Sequence, residues 1–80
     1  MATVRVRFWA GARRAAGHAE ETLDATDVGE LRAVLAARPG LAKIVAAASF
    51  LVDEVKASDA SVLRDGSVVD VLPPFAGGER

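Results

Sequence analysis

Two stretches of strict alternation, one near each end of the chain, constrain what lies between them. In residues 3–9, Val4, Val6 and Phe8 fall on one side of an extended backbone while Arg5, Arg7 and Trp9 fall on the other, the period of a half-buried strand. Residues 67–72 repeat the pattern, with Val69 and Val71 on one face and Val68, Asp70 and Leu72 on the other. Pro73-Pro74 stops that last strand. Prolines lack the N–H a sheet ladder needs and hold the chain extended, so the residues beyond them leave the sheet as a projecting arm.

Between the two strands, Asp27-Val28-Gly29-Glu30 sets an N-cap acceptor three residues ahead of a glutamate, the reciprocal arrangement that satisfies free N–H groups at a helix start. Val28, Leu31, Val34 and Leu35 form one apolar stripe, and Arg38-Pro39-Gly40 ends the helix near Arg38. Residues 10–17, rich in alanine with Arg13 and Arg14 before Gly17, predict one or two helical turns in a long hairpin loop, and residues 18–23 the returning second strand. Residues 41–47 suit either a second short helix or, through Ile44 and Val45, extended chain. Residues 49–52 read as a strand, Asp53-Glu54 as a tight turn, residues 55–57 as a short return strand, and Arg64-Asp65-Gly66 as a further turn.

Strand, strand, helix, strand, short strand, strand predicts an α+β fold of the ubiquitin-like β-grasp type: a mixed five-stranded sheet with one main helix packed on one face. Residues 1–72 form the domain and residues 73–80 an extended C-terminal tail. With the first and last strands adjacent and parallel, Trp9 and Leu72 share the end nearest the tail and point away from the helix.

Composition narrows the chemistry. Eighty residues make one small domain, hiding on folding roughly 60% of the surface an unfolded chain exposes. The absence of cysteine rules out disulfides, thiolate nucleophiles, redox pairs and thiolate metal sites, and His18 is the only histidine, so no metal site is expected. Ten basic residues against eleven acidic, net charge −1, offer no field for nucleic acid or an anionic membrane. The longest mainly apolar run, residues 41–52, is broken by Lys43 and falls well short of the ~20 residues of a membrane helix. The N-terminus enters the first strand directly, without a basic-then-apolar leader, which points to the cytoplasm.

Val6-Arg7-Phe8-Trp9-Ala10, then Arg13 and Gly17, the capped helix, Leu63-Arg64-Asp65-Gly66 and Asp70-Val71-Leu72-Pro73-Pro74-Phe75-Ala76-Gly77-Gly78 together resemble the small sulfur-carrier subunits of molybdopterin synthase. The resemblance covers nearly the whole chain, and a Pro-Pro-x-Ala-Gly-Gly segment after a final strand is specific where Gly-Gly alone is weak. Carriers serving thiamine or cysteine synthesis resemble the chain less over residues 8–17. The resemblance implies that an E1-like adenylating enzyme uses ATP to activate the carboxylate of Gly78, which becomes a thiocarboxylate and enters the large synthase subunit. Gly78 is then the reacting position, and Pro73, Pro74, Phe75, Ala76 and Gly77 are the tail that delivers it. The chain binds no cofactor stably and contributes no catalytic side chain.

The chemistry suits these residues. A carboxylate is a poor electrophile until its oxygen becomes a good leaving group, as in an acyl adenylate. Residues without Cβ admit the backbone to a narrow channel, although a Gly-rich frayed terminus would look similar. Functional members of the family end at the second glycine, whereas this sequence continues with Glu79-Arg80. Removal by a peptidase, an appended remnant, or a member that carries no sulfur are all open.

Trp9, Leu72 and Val55, with Val68 as a further candidate, predict an apolar patch on the sheet face opposite the helix, which the resemblance makes the docking face for the large subunit. Alternatively Trp9 folds back over the sheet. Phe75 suits a pocket on the partner or packs over the last strand. Arg13 and Arg14 pair with acidic groups on a partner or are simply solvated. His18 reads as a polar edge residue, with no titratable partner evident for base catalysis, and Lys43 and Lys56 as solvated lysines. Two other functions fit: a carrier for another pathway (cysteine, thiamine or a sulfur-containing natural product), and a ubiquitin-like interaction module that carries nothing.

Overall fold

A computed structural model describes residues 1–74. Its elements run β1 (Ala2–Phe8), α1 (Ala10–Ala16), β2 (Glu20–Ala25), α2 (Val28–Ala36), α3 (Ala42–Ala47), β3 (Ser49–Val52), β4 (Val55–Ala57) and β5 (Val68–Leu72). The five strands form one sheet in the order β2-β1-β5-β3-β4. The central pair β1 and β5 is parallel and the remaining pairs are antiparallel. This is the mixed sheet of a β-grasp.

The alternation of β1 does what its period requires. Val4, Val6 and Phe8 are buried with Phe50, Val69 and Val71 beneath a helical layer that contributes Leu31 and Leu35 from α2, Leu41 just before α3 and Val45 within it. The predicted N-cap is in place: Asp27 accepts from the Glu30 N–H at 2.8 Å, and Glu30 reaches back to the N–H of Thr26. The β3–β4 turn has φ of 49° at Asp53 and 70° at Glu54. Two central residues with positive φ form the hairpin turn whose twist matches its strands.

Two boundaries differ from the sequence-based expectation and one open alternative is settled, each through identifiable side-chain contacts. The open question over residues 41–47 resolves as helix, because Val45 points into the core and Arg32 supplies a cap. The Arg32 guanidinium donates to the carbonyls of Val45 and Ala48 at the end of α3 and lies 4.5 Å over the Phe50 ring. The second strand begins at Glu20 and ends at Ala25, later than expected, because His18 turns aside to Glu21 at 2.6 Å. Helix α2 ends at Ala36, and Arg38 lies beyond it, reaching Glu21 through two hydrogen bonds of 2.6 Å.

His18, Glu21 and Arg38 therefore staple β2 to the end of the main helix. Arg38 above all, with His18 adding to it and burial opposing, holds the Glu21 carboxyl down to about 2. An unfolded glutamate titrates near ~4.3. The pair thus stabilises the fold fully above that pH, and its contribution is lost as pH falls from ~4.3 toward ~2. Glu21→Gln is expected to remove about 1–2 kcal/mol at neutral pH and to flatten the acid limb of the stability curve in that window. Urea denaturation across a pH series checks both; an unchanged acid limb refutes the assignment. Among the described residues, no helix is long and apolar enough to cross a membrane.

Candidate functional site

The parallel pairing of β1 with β5 determines where the chain leaves the sheet. The register sets Arg5 beside Val68, Arg7 beside Asp70 and Phe8 beside Val71, and the Trp9 N–H donates to the Val71 carbonyl at 3.3 Å. Trp9 and Leu72 accordingly lie at one end of the sheet, and Pro73-Pro74 departs from that end. Directly after Trp9 the chain bends into α1 through Ala10, whose φ is 48°. This left-handed conformation costs a residue with a Cβ roughly 1–2 kcal/mol. The bend brings α1 alongside Pro73 and Pro74.

On the face away from the helices, Asp70 is only 3% exposed. A carboxylate so placed must be satisfied on its oxygens. Arg7 Nε donates to Oδ1 at 2.7 Å and Arg7 Nη2 to Oδ2 at 3.0 Å, while Trp9 Nε1 donates to Oδ1 at 2.9 Å. The Arg7 guanidinium stands 5.7 Å from the centre of the Trp9 ring. Arg7 foremost and Trp9 after it hold the Asp70 carboxyl below the usual carboxylate range, against burial, which pushes it up. Arg7 is raised in return.

Trp9 is therefore neither free nor folded away. Its indole N–H is tied to the sheet while the residue remains 46% exposed, presenting an oriented apolar surface. Leu72 and Val68 are half-buried on the same face, as the alternation predicted, and the register adds Leu51, which pairs with Asp70.

Val55 requires a correction. Val52 pairs with Val55 in β4 and with Val69 in β5, so Val55 has the parity of the helix-side face. It sits beside the β3–β4 turn, away from Leu72, and is 67% exposed. The physical reason is the two-residue turn, which pairs its flanking residues directly and so keeps Val55 on the side of Val52. Val55 is not part of the surface that holds Trp9 and Leu72.

Arg13, exposed in the last turn of α1, lines a shallow depression with Arg7, Trp9 and Glu20, so the structure brings it beside Trp9. His18 has the titratable partner that the sequence did not disclose, Glu21, and meets the Phe8 ring edge-on at 5.7 Å. Its role is in the staple. Pro73 is half-buried and Pro74 exposed. Phe75, Ala76, Gly77, Gly78, Glu79 and Arg80 lie outside the described residues.

The chain matches the ThiS family over residues 6–78. It is 30% identical to the molybdopterin synthase sulfur carrier subunit of Chlamydomonas reinhardtii, across 94% of this chain and 98% of the relative. Its fold superimposes with a TM-score of 0.75 on a chain from the complex of subunits 1 and 2 of molybdopterin-converting factor from Helicobacter pylori, at 28% identity and covering 95% of this chain and 99% of that one. A putative molybdopterin-converting factor subunit 1 from Pyrococcus furiosus gives a TM-score of 0.81 at 26% identity, covering 94% of this chain and all of that one.

Proposed function

The chain belongs to the ThiS family, and from that premise we propose that it carries sulfur on Gly78 as the small subunit of a molybdopterin synthase. The observation that carries this reading is that the family match runs through Gly78, the last residue of the Pro-Pro-Phe-Ala-Gly-Gly segment, with Glu79 and Arg80 beyond it. Parallel pairing of β1 and β5 supports it, because β5 then delivers the chain outward beside Trp9 instead of back into the sheet.

In this reading a peptidase removes Glu79-Arg80 and frees the Gly78 carboxylate. An E1-like enzyme binds the protein, and the carboxylate oxygen attacks the α-phosphorus of ATP, releasing pyrophosphate. A sulfur nucleophile then adds to the acyl carbon, and AMP leaves with the oxygen that was activated. The thiocarboxylate enters the large subunit and gives its sulfur to a pterin precursor, and water supplies the oxygen that returns the acyl carbon to carboxylate. The described domain contributes position and docking surface. The reaction belongs to the cytoplasm, where ATP is at hand.

Intact-mass analysis of the protein from its native cell tests the carrier chemistry. Loss of Glu79-Arg80 together with exchange of one oxygen for sulfur is the expected result. A trimmed protein left unchanged by the activating enzyme and ATP would favour a non-carrying module. Co-purification with a large synthase subunit, as opposed to an enzyme of thiamine or cysteine synthesis, decides the pathway. Phe75→Ala is expected to weaken large-subunit binding about tenfold, near 1.4 kcal/mol, with the melting temperature unchanged. Equal affinities by calorimetry would remove Phe75 from the interface.

A further inference from the structure

The Trp9 surface occupies one side of the tail root. On the other side, α1, α3 and Pro73-Pro74 enclose a groove of about 620 Å³. Its floor and walls are Ala10, Ile44, Ala47 and the two prolines, and Arg14 and Lys43 stand at it as its charged residues. Both cations are exposed. Among the described residues every ion pair within 4.0 Å involves other groups: Arg5 with Glu20, Arg7 with Asp70, Glu21 with His18 and Arg38, and Arg32 with Asp59. Among the described residues, Arg14, Lys43 and the neighbouring Arg13 therefore have no acidic partner within 4.0 Å, and they gather positive charge beside Pro73-Pro74 in a protein whose net charge is −1.

The length of the tail bears on what meets this groove. From Pro74 to Gly78 four residues span at most about 14 Å when fully extended. For Gly78 to reach the interior of a partner's active site, the rim of that site must close on the tail root from more than one side. The groove shares Pro73 and Pro74 with the tail, so it lies at the contact. An apolar floor flanked by two cations that no acid among the described residues pairs complements a segment that presents an apolar side chain between carboxylates, with the long stems of Arg14 and Lys43 covering apolar surface as their charged ends engage the acids.

We infer that the α1–α3 groove is a second docking surface, which receives an acidic segment with an apolar tip from the large subunit that accepts the tail. This rests on the carrier reading. The segment and the Trp9 surface would then grip the root from opposite sides and set the direction in which the tail enters.

The test uses the chain ending at Gly78 and the large synthase subunit of the same organism, titrated calorimetrically at low and at high salt. Arg14→Glu combined with Lys43→Glu is expected to weaken binding about twentyfold at low salt and far less at high salt, where the parent's attraction and the variant's repulsion are both screened. Ile44→Gln is expected to weaken it by roughly fivefold at either salt. Circular dichroism melting establishes that each variant is folded. Parental affinity in the folded charge-reversal variant overturns this inference and leaves the carrier reading standing, whereas failure of the parent itself to bind overturns both. A dimer in sedimentation equilibrium that the double variant abolishes assigns the groove to a second copy. Shifts of the Ile44 and Ala47 methyl resonances on truncation after Pro74 assign it to the chain's own tail. Either result also overturns the inference.

Discussion

Asp70→Ala is expected to lower the unfolding free energy by about 2–3 kcal/mol, and the melting temperature of so small a domain by roughly 10–20 °C. The side chain of Asp70 is 5% exposed while that of Arg7 is 37% exposed, so the pair is buried at the carboxylate end and partly solvated at the other. Removing the carboxylate leaves the Trp9 indole N–H and the guanidinium fork without their acceptor, and the desolvation of those donors is the main cost. Because Arg7 can recover water, the loss falls below that of a fully buried pair. Asp70→Asn retains a carbonyl oxygen for Trp9 and is expected to cost about half as much. Since the folded carboxyl is held below its ordinary range, its contribution is complete above the unfolded aspartate value near ~3.9 and disappears as pH falls through the folded value. Arg7→Met combined with Asp70→Leu removes both charges together and is expected to recover most of the lost stability. Urea denaturation of the three variants decides the matter: if Asp70→Ala unfolds at the parental midpoint, the carboxylate is not what fixes Trp9.

That network also shows where sequence reading succeeds and where it stops. Period-two patterns placed Arg7 and Trp9 on one face of β1 and Asp70 on one face of β5, and the Asp27 cap placed α2, because these are local facts of backbone geometry. The contact of Arg7 with Asp70 spans 63 positions and depends on a parallel register that no local pattern specifies. Val55 lies on the other face from the one expected: the two-residue turn that makes Val52 and Val55 direct partners is local, but the face follows only from the pairing of Val52 with Val69 across β3 and β5, which is not. Residues 41–47 were ambiguous because Ile44 and Val45 serve strand or helix equally. Tertiary burial of Val45 and the cap from Arg32 decided for helix, and with it came the groove, which has no signature in sequence. Trp9 satisfied neither of its two expected roles alone, since its N–H faces inward to Asp70 while its ring stays on the surface.

Gly77→Val is expected to reduce sulfur transfer at least about 100-fold, even when the altered protein is supplied already thiocarboxylated. Two steric effects act together. A Cβ with two further carbons widens the tail where the carrier reading threads it through a channel. Branching also confines the backbone to a fraction of the conformations open to glycine, so the acyl carbon of Gly78 is displaced from its line of approach. Gly77→Ala adds a single carbon without branching and is expected to fall between Val and the parent, which separates bulk and backbone restriction from any requirement for a particular side chain. Melting temperature is the control, because position 77 follows β5 in the sequence: an unchanged value assigns the loss to the transfer step and not to folding. Single-turnover transfer, measured beside binding affinity for the large subunit, distinguishes a tail that cannot enter from one that enters and reacts badly: the first loses affinity, the second only rate. Transfer at the parental rate by Gly77→Val would mean that the tail meets no channel. The domain behind it would then be a docking module with a loose end, and the proposed chemistry at Gly78 would lose its steric basis.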